Sequence, residues 1–595
     1  MSSAPTETPA VATTSYAALG RDGGGGPRPD ARRRLTPLVQ DSDRRWGWIG
    51  PLLVTALAGV LRLWQLGRPN ALLFDETYYA KDAYSMLVHG YVRDTVDKAD
   101  ERILRGDLDR LFTDSASFYV HPDLGKWLIA AGEQVFGMDS FGWRVAAAVV
   151  GTLMVLVLAR LVRRLTGSTL LGCAAGLLLC FDGLHFVMSR LALLDIFLAF
   201  FLLCAVACLA ADRDWGRLRM ARALPPPPPS ASPSSVSAVS GALRPHPSVS
   251  GASRPHPSVS GASRPHPSVS GALSPWAFGP VRGLLLRPWR VAAGVCFGLA
   301  CATKWSGAFV LVAFGLLTWG WDSSARRAIG VRWPVWKSAL VDSLPALGSL
   351  VVVALLVYVA SWGSWLANAG EFEDRLGSDW GSYVQQDASG TEEIAQSLRS
   401  LWHFHREVWG FHTGDGLADE THPYMSDPRG WLIVNRPVGI DANPDIQPGE
   451  QGCSAPDNCI EQVLAIGTPV LWWGGVAALL ASLFFWLGAR DWRFGLALIG
   501  VLSSWLPWWR FSERPIFFFY AVSLVPFTII AVTLVLGKVL GPPGASARRR
   551  RWGAAVAGAF VLAVAANFAF FHPILTDGLL SNEDWLDRMW FTRWI

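Results

Sequence analysis

The chain has 595 residues with 51% hydrophobic and 12% aromatic content and only 17% charged residues; soluble domains carry roughly 25% charged residues, so an ordinary soluble enzyme is excluded. Its 30 Trp suit interfacial belts, because indole joins an apolar body to one N–H that seeks the headgroup region. The net charge of +5 is small and its Arg clusters lie beside apolar stretches, which excludes a nucleic-acid surface and fits cytoplasmic anchoring.

Residues 1–45 are polar, Gly-rich and Arg-bearing, and a disordered cytoplasmic tail is expected there rather than a cleaved secretory signal. A span needs about 20 mostly apolar residues. Eleven candidates follow, at 46–66, 142–162, 168–186, 190–211, 288–303, 306–321, 339–362, 465–487, 493–509, 515–537 and 552–571, the long run from 289 to 321 being split at Lys304. The cationic stretches Arg32–Arg34, Arg44–Arg45, Arg160–Arg164, Arg213–Arg222, Arg326–Lys337, Arg490–Arg493 and Arg548–Arg551 all fall on one side of that scheme, which the positive-inside rule makes cytoplasmic. The predicted fold class is an all-α polytopic membrane protein of about 11 transmembrane helices, N-terminus cytoplasmic and C-terminus extracytoplasmic, with two large extracytoplasmic loops. Spans 1–4 occupy 46–211 and enclose the outer loop 67–141; a cytoplasmic Pro/Ser-rich linker fills 212–287; spans 5–7 occupy 288–362; the second outer loop is 363–464; spans 8–11 occupy 465–571, and 572–595 form an outer tail. Inside the linker, residues 225–275 repeat a decapeptide, RPHPSVSGAS and variants, with His246, His256 and His266 in register. Pro-rich spacing and scarce apolar groups favour disorder over a metal-binding His array.

Most of the eight Cys, among them Cys173, Cys180, Cys204, Cys208, Cys296 and Cys301, lie in apolar runs as small buried hydrophobes. Cys453 and Cys459 stand in a polar outer loop, where a disulfide persists if geometry permits.

Just beyond the first span, LLFDETYYAKDAYSMLVHGY places Asp75 and Glu76 within a few residues of the headgroups. Neighbouring residues point about 100° apart on a helix and to opposite faces of a strand, so the pair does not flank one bond as glycosidase carboxylates do. Two jobs follow: one takes the proton of an attacking hydroxyl and the other orients a partner. A solvated, helix-capping pair is the competing reading. His121 and Lys126 precede a short amphipathic helix suited to the membrane surface. Arg144 opens the second span at the depth of a lipid phosphate, either to bind one or to snorkel; Arg62 is assigned to snorkelling. The segment CFDGLHFVMSRLALLDIFLAFF gathers Asp182, His185, Arg190 and Asp195 at an outer turn, lining the site or pairing among themselves, Arg190 with Asp195 for example. On the same side lie HPYMSDPRGWLIVNRPV, with His422 and Tyr424, and WWRFSERPIFFFYAVSLVPF, with Arg510 and Arg514. A guanidinium there holds phosphate oxygens in a two-pronged fork, or anchors the loop.

Neither a P-loop nor a G-x-G-x-x-G at a strand–helix junction occurs, and the D-x-D matches at 41–43, 107–109 and 212–214 are weak metal sites. A sugar donor outside the cytoplasm arrives on a lipid, and cations stabilise its departing phosphate; no metal and no cofactor are expected.

The strings FDETYYAKDA, HPDLGKWLIA, GWRVAAAVVGTL, HFVMSRLALLDIF, CATKWSG, HPYMSDPRGWLIVNRPV and RPIFFFYAVSLVPF together resemble the protein O-mannosyltransferases, glycosyltransferase family 39 of the polyprenol-dependent type-C superfamily. The resemblance covers most of the membrane portion. It implies a type-C glycosyltransferase fold and transfer of mannose from polyprenyl-phosphate-mannose to Ser or Thr of exported proteins, with inversion, at the outer face of the bacterial plasma membrane. Membrane lipids surround such an enzyme, and the protein-export machinery is a candidate partner. Carried over by position, the family's acidic pair falls on Asp75, as base, and Glu76, supporting the acceptor or the site geometry; its second-span arginine falls on Arg144, offsetting charge on the leaving phosphate. Lys126, Arg510 and Arg514 are further phosphate candidates, and His121, Arg190, Asp195, His422 and Tyr424 are expected to line the site. The family's His-Pro-Pro reads His121-Pro122-Asp123 here, and the loop 363–464 is too short and too poor in alternating strands for the β-trefoil of eukaryotic members. Two other readings stand beside this one. A related polyprenyl-phosphate-sugar transferase would move arabinose or aminoarabinose, and a transporter or flippase would carry internal repeats, which the hydropathy pattern lacks.

Overall fold

A chain segment in hydrocarbon has to satisfy its own backbone hydrogen bonds, and a helix is how one segment does so. The computed structural model describes residues 31–36, 43, 45–224, 278–281, 284–414, 417, 420–542 and 544–595; the repeat with His246, His256 and His266, and most of the 1–45 tail, lie outside them. A helix forms at each of the eleven apolar stretches. Seven are long and apolar enough to cross a membrane: Trp46–Leu63 (α1), Ser140–Thr166, Leu194–Ala223, Gly307–Ala328, Ser343–Ser361, Pro469–Leu487 and Ala547–Leu575. Thr169–Cys180, Pro288–Cys301 and Val525–Leu540 are shorter apolar helices, and Trp492–Trp505 has 14 residues. The protein is a multi-pass membrane protein.

The long loops add three more helices of note, Glu76–His89 (α2) and Leu124–Phe136 (α3) in the first and Thr391–Thr413 in the second. In chain order the labels continue as α4 (Ser140–Thr166), α5 (Thr169–Cys180), α6 (Leu194–Ala223), α7 (Pro288–Cys301), α8 (Gly307–Ala328), α9 (Ser343–Ser361), α10 (Thr391–Thr413), α11 (Pro469–Leu487), α12 (Trp492–Trp505), α13 (Val525–Leu540) and α14 (Ala547–Phe571).

The helix ends follow local chemistry. Asp139 starts α4 by accepting from the backbone N–H of Phe141 (3.0 Å) and Gly142 (2.8 Å), as capping residues do. Gly167 ends it in the left-handed region at φ 72° and Ser168 at once caps α5, a turn that lays α5 back along α4. α6 is the central helix, buried along most of its apolar length against α4, α7 and α8, whereas α9 shows Leu344, Leu347, Leu355 and Leu356 to the lipid side. α7 lies tight on α9 because Gly294 has no Cβ: one there would collide with the Ser349 carbonyl.

The expectation of an all-α chain needs correction, since both long loops carry a small antiparallel sheet. Arg93–Thr95 (β1) pairs with Phe112–Ala116 (β2). In the second loop, Val438–Ile446 (β3) pairs with Cys459–Ala465 (β4), which also takes Leu580–Ser581 (β5) from the tail. The alternation that marks a strand is broken by Asn443-Pro444-Asp445 and by two register shifts in the β3–β4 ladder. Cys453 and Cys459 form the disulfide left open above, closing the β3–β4 turn.

Away from the long loops, four charges join three helices. Asp212 of α6 accepts from Arg287 Nε (2.8 Å) and Arg290 Nη2 (3.0 Å), while Asp322 of α8 accepts from Arg287 Nη1 (2.8 Å) and Arg290 Nη2 (2.7 Å). All four are buried, and a buried charge is tolerable only with such complete pairing. Asp212→Ala leaves two buried guanidinium groups to share the single carboxylate of Asp322, so it is expected to lower the unfolding free energy by about 3 kcal/mol, seen as a clear drop in the melting midpoint of the detergent-solubilised chain.

Candidate active site

The site is built around the residues that follow α1. Phe74 adopts φ 52°, which costs a residue with a Cβ about 1 kcal/mol. Edge-on contacts hold it there, with ring centroids at 5.6 Å from His422, 5.2 Å from Phe517 and 5.5 Å from Phe519. This turn sends the next two carboxylates to different environments.

Glu76 goes inward and is fully buried. Arg144 of α4 grips it through Nε on Oε1 (2.8 Å) and Nη2 on Oε2 (2.7 Å), and the backbone N–H groups of Leu73 (3.0 Å) and Ala192 (2.8 Å) fill its remaining lone pairs. Arg144 spends its other donors on the carbonyls of Leu66 (3.4 Å), Pro69 (2.8 Å) and Ala71 (2.8 Å). The assignment of Arg144 to a leaving phosphate is therefore corrected: its donors are taken and it is sealed from solvent. Glu76 likewise has no face for an acceptor and acts as a clamp.

Asp75 is half-buried at the N-terminus of α2, with the Tyr79 hydroxyl donating at 3.3 Å. Loss of hydration pushes its carboxyl up to about 6, with the Lys304 ammonium pulling down and Asp195 adding to the rise. Lys304 and Asp195 form an ion pair of 2.8 Å, the ammonium 4.7 Å from the centre of the Tyr520 ring. Asp195, Ser306, Trp508, Tyr520 and Ser523 line a small cleft between α6, α8 and α12.

Three more cations differ from expectation because each has been absorbed by the fold. Arg190 does not pair with Asp195; it donates to the carbonyls of Arg62 (2.9 Å), Trp64 (2.7 Å) and Gln65 (3.0 Å), where the end of α1 leaves acceptors unpaired. Arg62 does not snorkel: it is fully buried and donates to Ser189 Oγ (3.0 Å) and His185 Nδ1 (2.9 Å). Lys126 is buried 3.0 Å from Asp82 and 3.3 Å above the Tyr119 ring.

Of the remaining candidates, Arg510 is exposed and Arg514 half-buried. Arg514 Nη1 donates to His412 Nδ1 (3.2 Å), and its Nε is buried with no hydrogen-bond partner among the described residues. His121 stacks on His412 at 5.8 Å, and burial, with Lys304 next, holds its imidazole well below the usual range. His422 braces Phe74, and the Tyr424 N–H donates to His422 Nδ1 at 3.1 Å. Sequence reasoning missed Tyr79, Lys304, His412 and Tyr520. Lys304 had a signal, a lone cation inside an apolar run; the other three had none.

This fold and site define a membrane enzyme of the lipid-linked sugar-transferase type, and comparison with known proteins narrows the class. Residues 52–214 match the family described as dolichyl-phosphate-mannose-protein mannosyltransferase, and residues 397–594 the C-terminal four-span region of protein O-mannosyltransferase. A polyprenol-phosphate-mannose–protein mannosyltransferase of Mycobacterium tuberculosis is 33% identical over 93% of this chain and 92% of its own length. One from Mycolicibacterium smegmatis is 34% identical over 93% and 94%, and one from Corynebacterium glutamicum 29% identical over 91% of each. The yeast (S. cerevisiae) protein O-mannosyltransferase Pmt1-Pmt2 complex, solved with its sugar donor, shares the fold with a TM-score of 0.60 at 13% identity, over 96% of this chain and 95% of that one. The chain belongs to the protein mannosyltransferase family of membrane glycosyltransferases.

The two arginines respond differently to removal. Arg144→Ala leaves Glu76 charged and unpaired in the interior, at about 3 kcal/mol, so transfer and melting midpoint fall together. Arg514→Ala is expected to lower mannosyl transfer while leaving the midpoint within about 2 °C of the native chain.

Proposed function

We propose that the chain transfers mannose from polyprenyl-phosphate-mannose to Ser or Thr hydroxyls of exported proteins, with inversion, at the outer face of the bacterial plasma membrane. The observation that carries this reading is the separation of the acidic pair: Glu76 is consumed by Arg144, while Asp75 stands half-buried at the N-terminus of α2, within the electrostatic reach of Lys304. The bacterial relatives are polyprenol-phosphate-mannose–protein mannosyltransferases, and their donor and acceptor classes support this reading. The eleven apolar helices, N-terminus inside, would then put both long loops on the outer side, as the cationic stretches require.

In the proposed reaction the acceptor hydroxyl lies against Asp75. Its oxygen attacks the anomeric carbon of mannose from the face opposite the phosphate, the new C–O bond forming as the bond to phosphate breaks. The hydroxyl proton passes to the Asp75 carboxylate, whose raised affinity for protons suits it to general-base work near neutrality. Polyprenyl phosphate departs with the bonding electron pair, and its charge is met by Arg514 and Lys304 in a partly dehydrated setting where such contacts are strong. The reaction as proposed needs no cofactor beyond the lipid-linked donor.

Transfer of radiolabelled mannose from polyprenyl-phosphate-mannose to a Ser/Thr-rich peptide tests the reading. Asp75→Asn is expected to lower the rate by about 10²- to 10⁴-fold while the chain accumulates normally in membranes. Because the base works only when ionised, kcat/KM of the native chain should rise with pH through about 6 and level off above it, falling about tenfold for each unit below. Membranes that pass another lipid-linked sugar but no mannose would refute the substrate and leave the fold intact.

A further inference from the structure

The proposed reaction uses Arg514 but leaves its neighbour His412 without a role. His412 lies in the last turn of α10, with its Nδ1 3.2 Å from Arg514 Nη1 and its Nε2 3.4 Å from the carbonyl of Val120. A guanidinium only donates and a carbonyl only accepts. The two contacts therefore fix the ring: the proton sits on Nε2, the lone pair on Nδ1, and the imidazole is neutral. Burial, with the Arg514 charge second, keeps it so by holding the group down at about 4. His121 stacked at 5.8 Å and Trp305 edge-on at 6.2 Å lock the ring plane.

The consequence falls on Arg514. With Nη1 tied to His412, the guanidinium is left with its Nε–Nη2 edge, whose Nε is buried and has no hydrogen-bond partner among the described residues. Arg144 uses this same edge to hold the Glu76 carboxylate, at 2.8 and 2.7 Å, so the fold already shows what that edge takes: two oxygens of an oxyanion. Trp508, 5.9 Å from the Arg514 guanidinium, is a wall of the cleft that starts at Asp195.

We propose that His412 is a positioning residue for the donor, turning Arg514 so that its empty Nε–Nη2 edge receives the phosphate of a polyprenyl phosphate. The inference rests on the lipid-phosphate donor proposed above. It does not depend on which sugar that lipid carries.

The test uses the full chain in lipid nanodiscs, with a short-chain polyprenyl phosphate lacking sugar as the binding probe and mannosyl transfer as the second readout. His412→Phe keeps the stacking and removes the acceptor; His412→Asn restores an acceptor oxygen near the place of Nδ1. His412→Phe should weaken probe binding and raise the donor KM by about tenfold, with kcat changed less than about twofold, and His412→Asn should recover most of the loss. In an Arg514→Ala background, His412→Phe should add less than about twofold, because the two side chains act as one unit. Unchanged probe affinity in His412→Phe, or a full-sized loss in the Arg514→Ala background, overturns the proposal. Should His412→Phe fail to accumulate, His412→Ala against His412→Asn decides the same point. A native chain that binds the probe in a His412-dependent way but transfers no mannose removes the sugar assignment and supports the role of His412.

Discussion

A carboxylate and a guanidinium joined by two parallel hydrogen bonds and shut away from water tie together parts of the chain that are far apart in sequence. Glu76 and Arg144 are 68 residues apart, and the carboxylate also holds the N–H of Ala192 at the entry to α6. One ion pair thus fixes the first long loop, the start of α4 and the central helix. Isolated buried pairs give uncertain stability, since desolvation opposes the Coulomb gain. Here backbone groups satisfy every remaining site on both partners, and position is what the arrangement secures. With Glu76 held inward and Phe74 held in its left-handed turn, the direction of Asp75 follows.

That direction matters to the proposed reaction, which depends on where a single proton goes. Asp75 lies in a setting dry enough to raise its proton affinity, with the Lys304 ammonium near enough to keep it ionisable at neutral pH. The cations around the site divide by what surrounds them. Arg62, Arg144 and Arg190 are committed to carbonyls, a hydroxyl, a histidine or Glu76, and Lys126 to Asp82. Among the described residues, Arg514 alone of the arginines proposed for the site keeps a buried donor unfilled. In the proposed account the phosphate site is marked by unspent hydrogen-bonding capacity and not by charge alone.

Much of this was legible in the sequence. Each apolar stretch carries a helix, because length and hydropathy decide that locally. Asp75 and Glu76 were separable from adjacency alone, since neighbouring side chains cannot share a direction. The partner of a buried charge is a different kind of fact, settled by residues far along the chain. A cation near a span end looks the same whether it snorkels, as proposed for Arg62, or caps a helix, as Arg190 does. His412 lies in an amphipathic loop helix with nothing local to mark it, and β3 hides behind Asn443-Pro444-Asp445.

A structure with a polyprenyl phosphate bound tests the central claim most directly. The account predicts the phosphate on the Nε–Nη2 edge of Arg514, near Lys304, with Glu76 still gripped by Arg144 and Asp75 facing the open side. A phosphate seated on Arg144, with Glu76 displaced from it, would contradict the account, because the clamp would then be a substrate site.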